Sequence, residues 1–314
     1  MKLLVTGGCG FIGGNVAEAA VREGYEVAVL DNHARGAAPR HCGTFHADLC
    51  APFRVREVFQ EFKPDLVSHH AAYVDAPGSL LNPGQHLTNN VIGSAYLIQL
   101  CQEFGVKRVV FASSGPAIYG ETGDVPVSES HLPNPETPYG AGKLAVEHLL
   151  RCMYAHGAPP STILRYPNVY GPRQLATGVV GVFMRAALRG EPLKVFSAHE
   201  DGSDNSGCVR QYCYVEDVAR INMLALKQAV GCHTYNVGGT AASTAWLAER
   251  IVELTNSDSK IEYASHRKGD IVQSLIDSAL LHEDFTIDNH MPLISGLIKT
   301  GDWWANEAQS WLLR

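Results

Sequence analysis

The 314-residue chain predicts an α/β fold: a Rossmann-type doubly wound parallel sheet with a smaller mixed α/β lobe on its C-terminal side. Three observations predict it. Residues 1–165 alternate short apolar, β-branched runs with helical patterns. A glycine-rich turn, Thr6-Gly7-Gly8-Cys9-Gly10-Phe11-Ile12-Gly13, separates the first strand pattern from the first helix. Past residue 166 the alternation loosens into proline- and glycine-punctuated loops with shorter elements.

Taken in order, residues 2–6 read as a buried strand and 11–23 as a helix closed by Gly24. A second strand over 26–30 ends in Asp31. Further strand-like runs lie at 44–47, 66–69, 108–112 and 161–164, about six in all. Helical patterns between them cover 53–62, 85–104 and 139–156, the last two closed by Gly105 and Gly157. Residues 1–165 are therefore expected to form one domain, with strand and helix returns around 208–238, and 166–314 a second lobe. That lobe reads as a short helix at 183–189, a polar turn at 199–207 and a strand at 209–215. Helices near 217–228 and 244–255 follow, then a tail with Trp303, Trp304 and Trp311.

Composition is ordinary for a globular protein, with 46% hydrophobic and 18% charged residues. A net charge of −7 without a Lys/Arg cluster argues against nucleic acid as a partner. No apolar run approaches the ~20 residues of a membrane span. The start, Lys2-Leu3-Leu4-Val5, resembles a signal peptide, but glycines interrupt it and no cleavage site follows. Eight cysteines without a CxxC pair read as reduced thiols of a cytoplasmic protein. No metal site is expected, because the adjacent His69 and His70 would point to opposite faces of a strand.

The turn's position after a strand and before a helix predicts a dinucleotide: small residues admit a pyrophosphate and the helix N-terminus attracts it. Asp31 can accept from an adenosine ribose and repel a 2′-phosphate, which favours NAD, whereas Arg35 leaves NADP open. Asp48-Leu49 could meet the adenine, and Ala71-Ala72 could floor the cofactor; either pair could equally start a loop or serve packing. Tyr139 and Lys143 stand four apart, about one helical turn, so phenol and ammonium share a face. A neighbouring cation lowers a phenol's pKa from about 10 towards neutrality, where it can exchange protons with a sugar hydroxyl.

The glycine turn, Asp31-Asn32, Asp48-Leu49, His69-His70-Ala71-Ala72, Asn90-Val91-Ile92-Gly93, Ser113-Ser114-Gly115-Pro116-Ala117-Ile118-Tyr119-Gly120 and Tyr139-Gly140-Ala141-Gly142-Lys143 resemble the extended short-chain dehydrogenase/reductases. Within them the chain is most similar to the nucleotide-sugar epimerase/dehydratase branch, in particular the UDP-glucose/UDP-galactose 4-epimerases. The similarity runs on through Leu164-Arg165-Tyr166-Pro167-Asn168, Val209-Arg210-Gln211-Tyr212, Tyr235-Asn236-Val237-Gly238-Gly239 and Arg267-Lys268-Gly269-Asp270. The resemblance implies a cofactor site of Gly7, Gly10, Phe11, Ile12, Gly13, Asp31, Asn32, Asp48, Leu49, Ala71, Ala72, Asn90, Tyr139, Lys143 and Tyr166. Tyr139 would transfer the proton, Lys143 would bind the nicotinamide ribose, and Ser114 would bond the reacting hydroxyl. Arg210, Arg267 and Asn168 would hold the diphosphate and Phe196 the uracil.

The resemblance also has departures. Gly142 stands where a Ser usually precedes the Lys, which should loosen local contacts but removes no catalytic group; Gln211 replaces the usual Asp, a change with no reading from sequence, while Arg210 is retained. The strand-five turn, Ser-Ser-Gly-Pro, lacks the Thr-Asp-Glu run with which the branch's dehydratases eliminate water. The implied reaction is therefore NAD-dependent 4-epimerisation of a UDP-sugar through a transient 4-keto intermediate. UDP-glucuronate epimerisation or decarboxylation is the enzymatic alternative, and an inactive NAD-binding scaffold the other. Ser274, seven after Arg267, is small where a Tyr would narrow the pocket, so UDP-GlcNAc/UDP-GalNAc is expected alongside UDP-glucose/UDP-galactose. A homodimer through 85–104 and 139–156 is expected by the same analogy.

Overall fold

The computed structural model describes residues 1–33, 36–174, 176–199, 205–228, 231–267, 270–287 and 290–306. The N-terminal half alternates β1 (Lys2–Thr6), α1 (Phe11–Arg22), β2 (Glu26–Asp31), β3 (Gly43–His46), α2 (Pro52–Phe62) and β4 (Leu66–His69). Next come α3 (Ala76–Leu81), α4 (Pro83–Leu87), a π-helical turn (Thr88–Ile92), α5 (Gly93–Glu103), β5 (Arg108–Ser114), α6 (Gly115–Tyr119), α7 (Pro138–Tyr154) and β6 (Ser161–Tyr166). The remainder carries β7 (Asn168–Tyr170), α8 (Val179–Leu188), β8 (Leu193–Phe196), β9 (Val209–Tyr214), α9 (Val215–Gln228) and β10 (Cys232–Asn236). It closes with β11 (Thr240–Ser243), α10 (Thr244–Leu254), β12 (Ile261–Ala264), β13 (Gln273–Ser274), α11 (Ala279–Asp284) and α12 (Leu293–Asn306).

Seven strands form the main sheet in the order β3-β2-β1-β4-β5-β6-β10, every neighbour parallel. The order reverses between β1 and β4, the switch point where a doubly wound sheet opens a crevice at its carboxyl edge. Period-2 alternation sends β1 and β2 residues to two cores. Leu3, Val5, Val27 and Val29 pack with Val16, Ala17, Val218 and Ile221 of α1 and α9. Leu4, Ala28 and Leu30 pack with Val55, Phe59, Leu97 and Cys101 of α2 and α5. A third core gathers Tyr170, Met184, Tyr212, Tyr214, Leu247 and Leu297. It binds the smaller mixed sheet (β11-β9-β13, with β7 also on β9) to α8, α10 and α12, and the two-stranded β12-β8 sheet adjoins it.

The six predicted strands of the first 165 residues are present, and β10 supplies the later return. Three readings change. The single helix expected over 85–104 is α4, a π-turn and α5; in the widened turn the buried Asn89 Nδ2 donates to Asn90 Oδ1 at 2.9 Å. The segment 76–81, given no element from sequence, is helical: Asp75 caps α3 by accepting from Gly78 N at 3.0 Å. Trp303 and Trp304 belong to α12 and are buried in the third core, while Trp311 lies outside the described residues.

Candidate active site

The glycine turn leaves the carboxyl end of β1 beside the switch point. Gly7 has φ 68°, and a Cβ there would lie 2.6 Å from Ala71 N, so only glycine lets the turn close on the end of β4. Gly10 caps α1 without a side-chain hydrogen bond, which leaves the first-turn N–H groups of Phe11, Ile12 and Gly13 free of a side-chain acceptor. Asp31, buried at the end of β2, accepts from Cys9 N at 3.0 Å and His33 N at 2.7 Å, tying the turn to β2. A carboxylate has further lone pairs for a ribose hydroxyl. Arg35 lies outside the described residues.

Around this cradle, Asp48 accepts from Asn32 Nδ2 at 3.1 Å and Cys50 N at 2.8 Å, and Leu49 is buried in the second core. Ala71 N donates to Thr6 Oγ1 at 3.2 Å, which sets the Ala71-Ala72 backbone at the end of β4. Asn90 is occupied by protein: it accepts from Tyr73 N at 2.8 Å and donates to Tyr73 O at 2.9 Å, clamping the segment after β4. The Tyr166 side chain turns into the first core, where its hydroxyl accepts from Asn222 Nδ2 at 2.7 Å. His69 and His70 are likewise bonded within the protein, to Thr6 and Ser94 and to Ser68. An uncapped helix end, a glycine-only turn and a buried acidic residue on β2 fit a dinucleotide.

Ser114, Tyr139 and Lys143 are brought together by β5, α6 and α7. Ser114 caps α6, accepting from Ala117 N at 3.5 Å, and stays partly exposed. Its neighbour Ser113 faces the other way, buried and donating to Glu147 Oε1 at 2.6 Å. Gly140 lets α7 approach the Ala117 carbonyl so closely that any Cβ would overlap it. Lys143 Nζ, with the residue only 4% exposed, donates to Ala112 O at 2.7 Å, two residues before Ser114. It lies 5.9 Å from the Tyr139 ring centroid. The protein alone does not acidify Tyr139, contrary to expectation. Burial pushes the phenol up to about 12, and burial lowers Lys143 to about 8 against the attraction of Glu147.

In the smaller sheets, Arg210 and Ser274 are register partners on β9 and β13, and Asn168 pairs with Tyr212 on β7 and β9. The Arg210 guanidinium donates to the carbonyls of Val209, Val272 and Ile271. Arg267 is exposed, paired with Asp270 at 2.8 Å and stacked on Phe196 at 5.2 Å from the ring centroid. Ser274 is 2% exposed, and its buried Oγ has no hydrogen-bond partner among the described residues. A cavity of 560 Å³ beside α1, lined in part by Asn15, Arg22, His41 and Arg173, contains none of these residues.

The profile of the NAD dependent epimerase/dehydratase family matches residues 3–238. The chain belongs to that family. It is an NAD-dependent epimerase-type enzyme, and NAD is its cofactor. A UDP-glucose 4-epimerase from Mycolicibacterium smegmatis is 32% identical, with 98% of this chain and 100% of the relative aligned. The structure of Thermus thermophilus UDP-glucose 4-epimerase in complex with NAD superposes with a TM-score of 0.92 at 36% identity, over 98% of this chain and 100% of that one. A UDP-N-acetylglucosamine 4-epimerase from Methanobrevibacter ruminantium, in complex with UDP-N-acetylmuramic acid, superposes at 0.89 with 29% identity, over 98% of each chain.

Two features of this epimerase-family chain escaped the sequence reading. Ser79, fully buried on α3, accepts from Tyr139 N at 3.1 Å and so supports the first turn of α7. No local pattern marks a serine 60 residues away as a capping partner. Glu121 accepts from Val272 N at 2.6 Å and Gln273 N at 2.8 Å, a role that only the tertiary path of the 271–276 segment creates.

Proposed function

We propose that the protein inverts C4 of a UDP-sugar through a transient 4-keto sugar. The observation that carries this is the convergence of Ser114, Tyr139 and Lys143 on the sheet edge that also bears the glycine turn. Tyr139 takes the proton of the 4-hydroxyl, Ser114 bonds the same oxygen, and the Lys143 ammonium holds the nicotinamide ribose and favours the phenolate. Held by the Gly7–Gly13 turn, Asp31 and Lys143, oxidised NAD would supply an acceptor and donor for the C4 hydride and a positive charge that would favour the phenolate. Tyr139 gives its proton back to O4, so no net redox change accumulates.

Residues 1–165, with their returns over 208–238, form the NAD-binding part in this reading, and 166–314 the nucleotide-sugar lobe. Asn168, Arg210 and Arg267 anchor the diphosphate and Phe196 the uracil, which leaves the sugar free to turn. Elimination is poorly equipped. Ser114 is followed by no carboxylate before Glu121, and both Glu121 oxygens are engaged by backbone N–H groups. The small, buried Ser274 supports acceptance of N-acetylated sugars beside plain hexoses. Exposed Leu87, Ile92, Tyr96 and Tyr154 on the 83–103 helical run and α7 support a homodimer, and buried thiols such as Cys101 and Cys213 support a cytoplasmic location.

The test is an NMR assay of UDP-glucose, UDP-GlcNAc and UDP-glucuronate, each with wild type and Tyr139→Phe. The expected products are the 4-epimers of the first two sugars. Tyr139→Phe should lose turnover by about three or more orders of magnitude while retaining NAD. A pentose product from UDP-glucuronate would favour the decarboxylase, and retained NAD without any turnover would favour a scaffold.

A further inference from the structure

Gln211 is the residue whose departure from the usual Asp had no reading from sequence, and the structure gives it a definite task. Its carboxamide pairs with both backbone groups of a single residue, Ile276. Oε1 accepts from Ile276 N at 2.8 Å and Nε2 donates to Ile276 O at 3.1 Å. A primary amide can do both at once; a carboxylate can only accept. The β9-β13 ladder ends at the Arg210–Ser274 pair, so the Gln211 side chain supplies the rung that the backbone no longer makes.

The residue so held is a hub. Val127 N donates to Leu275 O at 3.1 Å, Asp277 N donates to Val127 O at 2.9 Å, and Leu275 N donates to Thr122 Oγ1 at 2.8 Å. The Ile276 side chain, 2% exposed, packs with Ile118, Tyr119, Val127 and Leu144. It lies so close over Gly115 that a Cβ there would be 2.9 Å from Ile276 Cδ1. Gly115 follows Ser114, and Leu144 follows Lys143. The segment that begins at Ser274 is thus seated directly on the elements that carry the catalytic groups.

We propose that Gln211 is a positioning residue for sugar specificity: its two-sided amide clamp on Ile276 fixes the Ser274–Ile276 wall against the Ser114 turn. The proposal rests on the reading of the protein as a UDP-sugar 4-epimerase with Ser274 facing the sugar. In the family's usual form an Asp, one methylene shorter and without a donor, could hold only the N–H side. The Gln in this chain makes the wall stiffer, and a stiffer wall discriminates more sharply between a hydroxyl and an acetamido group at C2.

The test uses the NAD-loaded enzyme with Gln211→Met, which keeps the size and removes both hydrogen bonds, and Gln211→Glu, which keeps the acceptor alone. Amide exchange at Ile276 is read by NMR, and kcat and KM are read separately for UDP-glucose and UDP-GlcNAc. Gln211→Met should speed Ile276 exchange by about tenfold or more, with the β11-β9 ladder amides unchanged. It should also shift the kcat/KM ratio of the two substrates by about threefold or more, mainly through KM. Gln211→Glu should lie between Gln211→Met and wild type in both readouts. Unchanged exchange at Ile276 overturns the clamp. Faster exchange with both substrates impaired equally overturns the specificity role and leaves a structural one. If the wild type turns over no UDP-hexose, the epimerase reading fails by itself. The same ratio is then taken from binding constants of the two UDP-sugars, and an unshifted ratio overturns the role of Gln211.

Discussion

Lys143→Met should make the cofactor-free protein more stable at neutral pH while abolishing turnover. Burial lowers the lysine from 10.5 to about 8, so at pH 7 the folded state holds its charge at a cost. At about 1.4 kcal/mol per tenfold, that gap corresponds to roughly 3 kcal/mol. Methionine removes the charge but also the Nζ hydrogen bond to Ala112 O, which offsets about 1 kcal/mol. A net gain of about 1–2 kcal/mol predicts a rise in Tm of roughly 2–6 °C. The pH dependence carries the sign. Between about 8 and 10.5 the unfolded chain binds the proton more tightly than the folded one, so wild-type stability climbs with pH relative to the variant. The variant's advantage is full below about 8 and gone above 10.5. Calorimetry of stripped protein at pH 7 and pH 10 measures both values. A variant that melts several degrees below wild type at pH 7, or an advantage that does not shrink by pH 10, would refute the reasoning.

Four further outcomes are expected. Ser114→Ala should lower kcat by about ten- to a hundredfold with little change in Tm. Ser113→Ala, which deprives the buried Glu147 of a donor, should lower Tm and spare kcat; the reverse pattern would exchange their roles. Stripped protein titrated with both cofactors should bind NADP roughly tenfold or more weakly than NAD, since a 2′-phosphate would face Asp31, and equal affinities would transfer the reading of that phosphate to Arg35. Ser274→Tyr should abolish turnover of UDP-GlcNAc while sparing UDP-glucose, and unchanged handling of both would remove Ser274 from the pocket wall.

The sheet was legible because its strands are long enough to show apolar runs and its helices end in glycines. β1, α1 and β2 fall within a residue or two of their expected bounds. The smaller lobe was less so, since β7 and β13 span three and two residues and carry no readable period. Among candidate site residues, Ser114 came from the family resemblance, and the opposite facing of the Ser113 and Ser114 side chains supports that choice. What could not be read was environment. The elevated Tyr139 phenol depends on burial by elements distant in sequence. Asn90 looked available for a cofactor, but its partners lie 17 residues upstream on Tyr73. Gln211 answers to Ile276, 65 residues downstream, across a ladder too short to announce itself.

Reversible hydride exchange at C4, with Tyr139 handling the O4 proton, is the step on which the proposed reaction turns. UDP-glucose deuterated at C4, incubated with the NAD-loaded enzyme in ordinary water and followed by NMR, tests it most directly. The expected result is UDP-galactose with deuterium retained at C4, no accumulated reduced cofactor, and loss of the conversion in Tyr139→Phe. Washout of the label to solvent, a dehydrated or decarboxylated product, or undiminished conversion by Tyr139→Phe would contradict it.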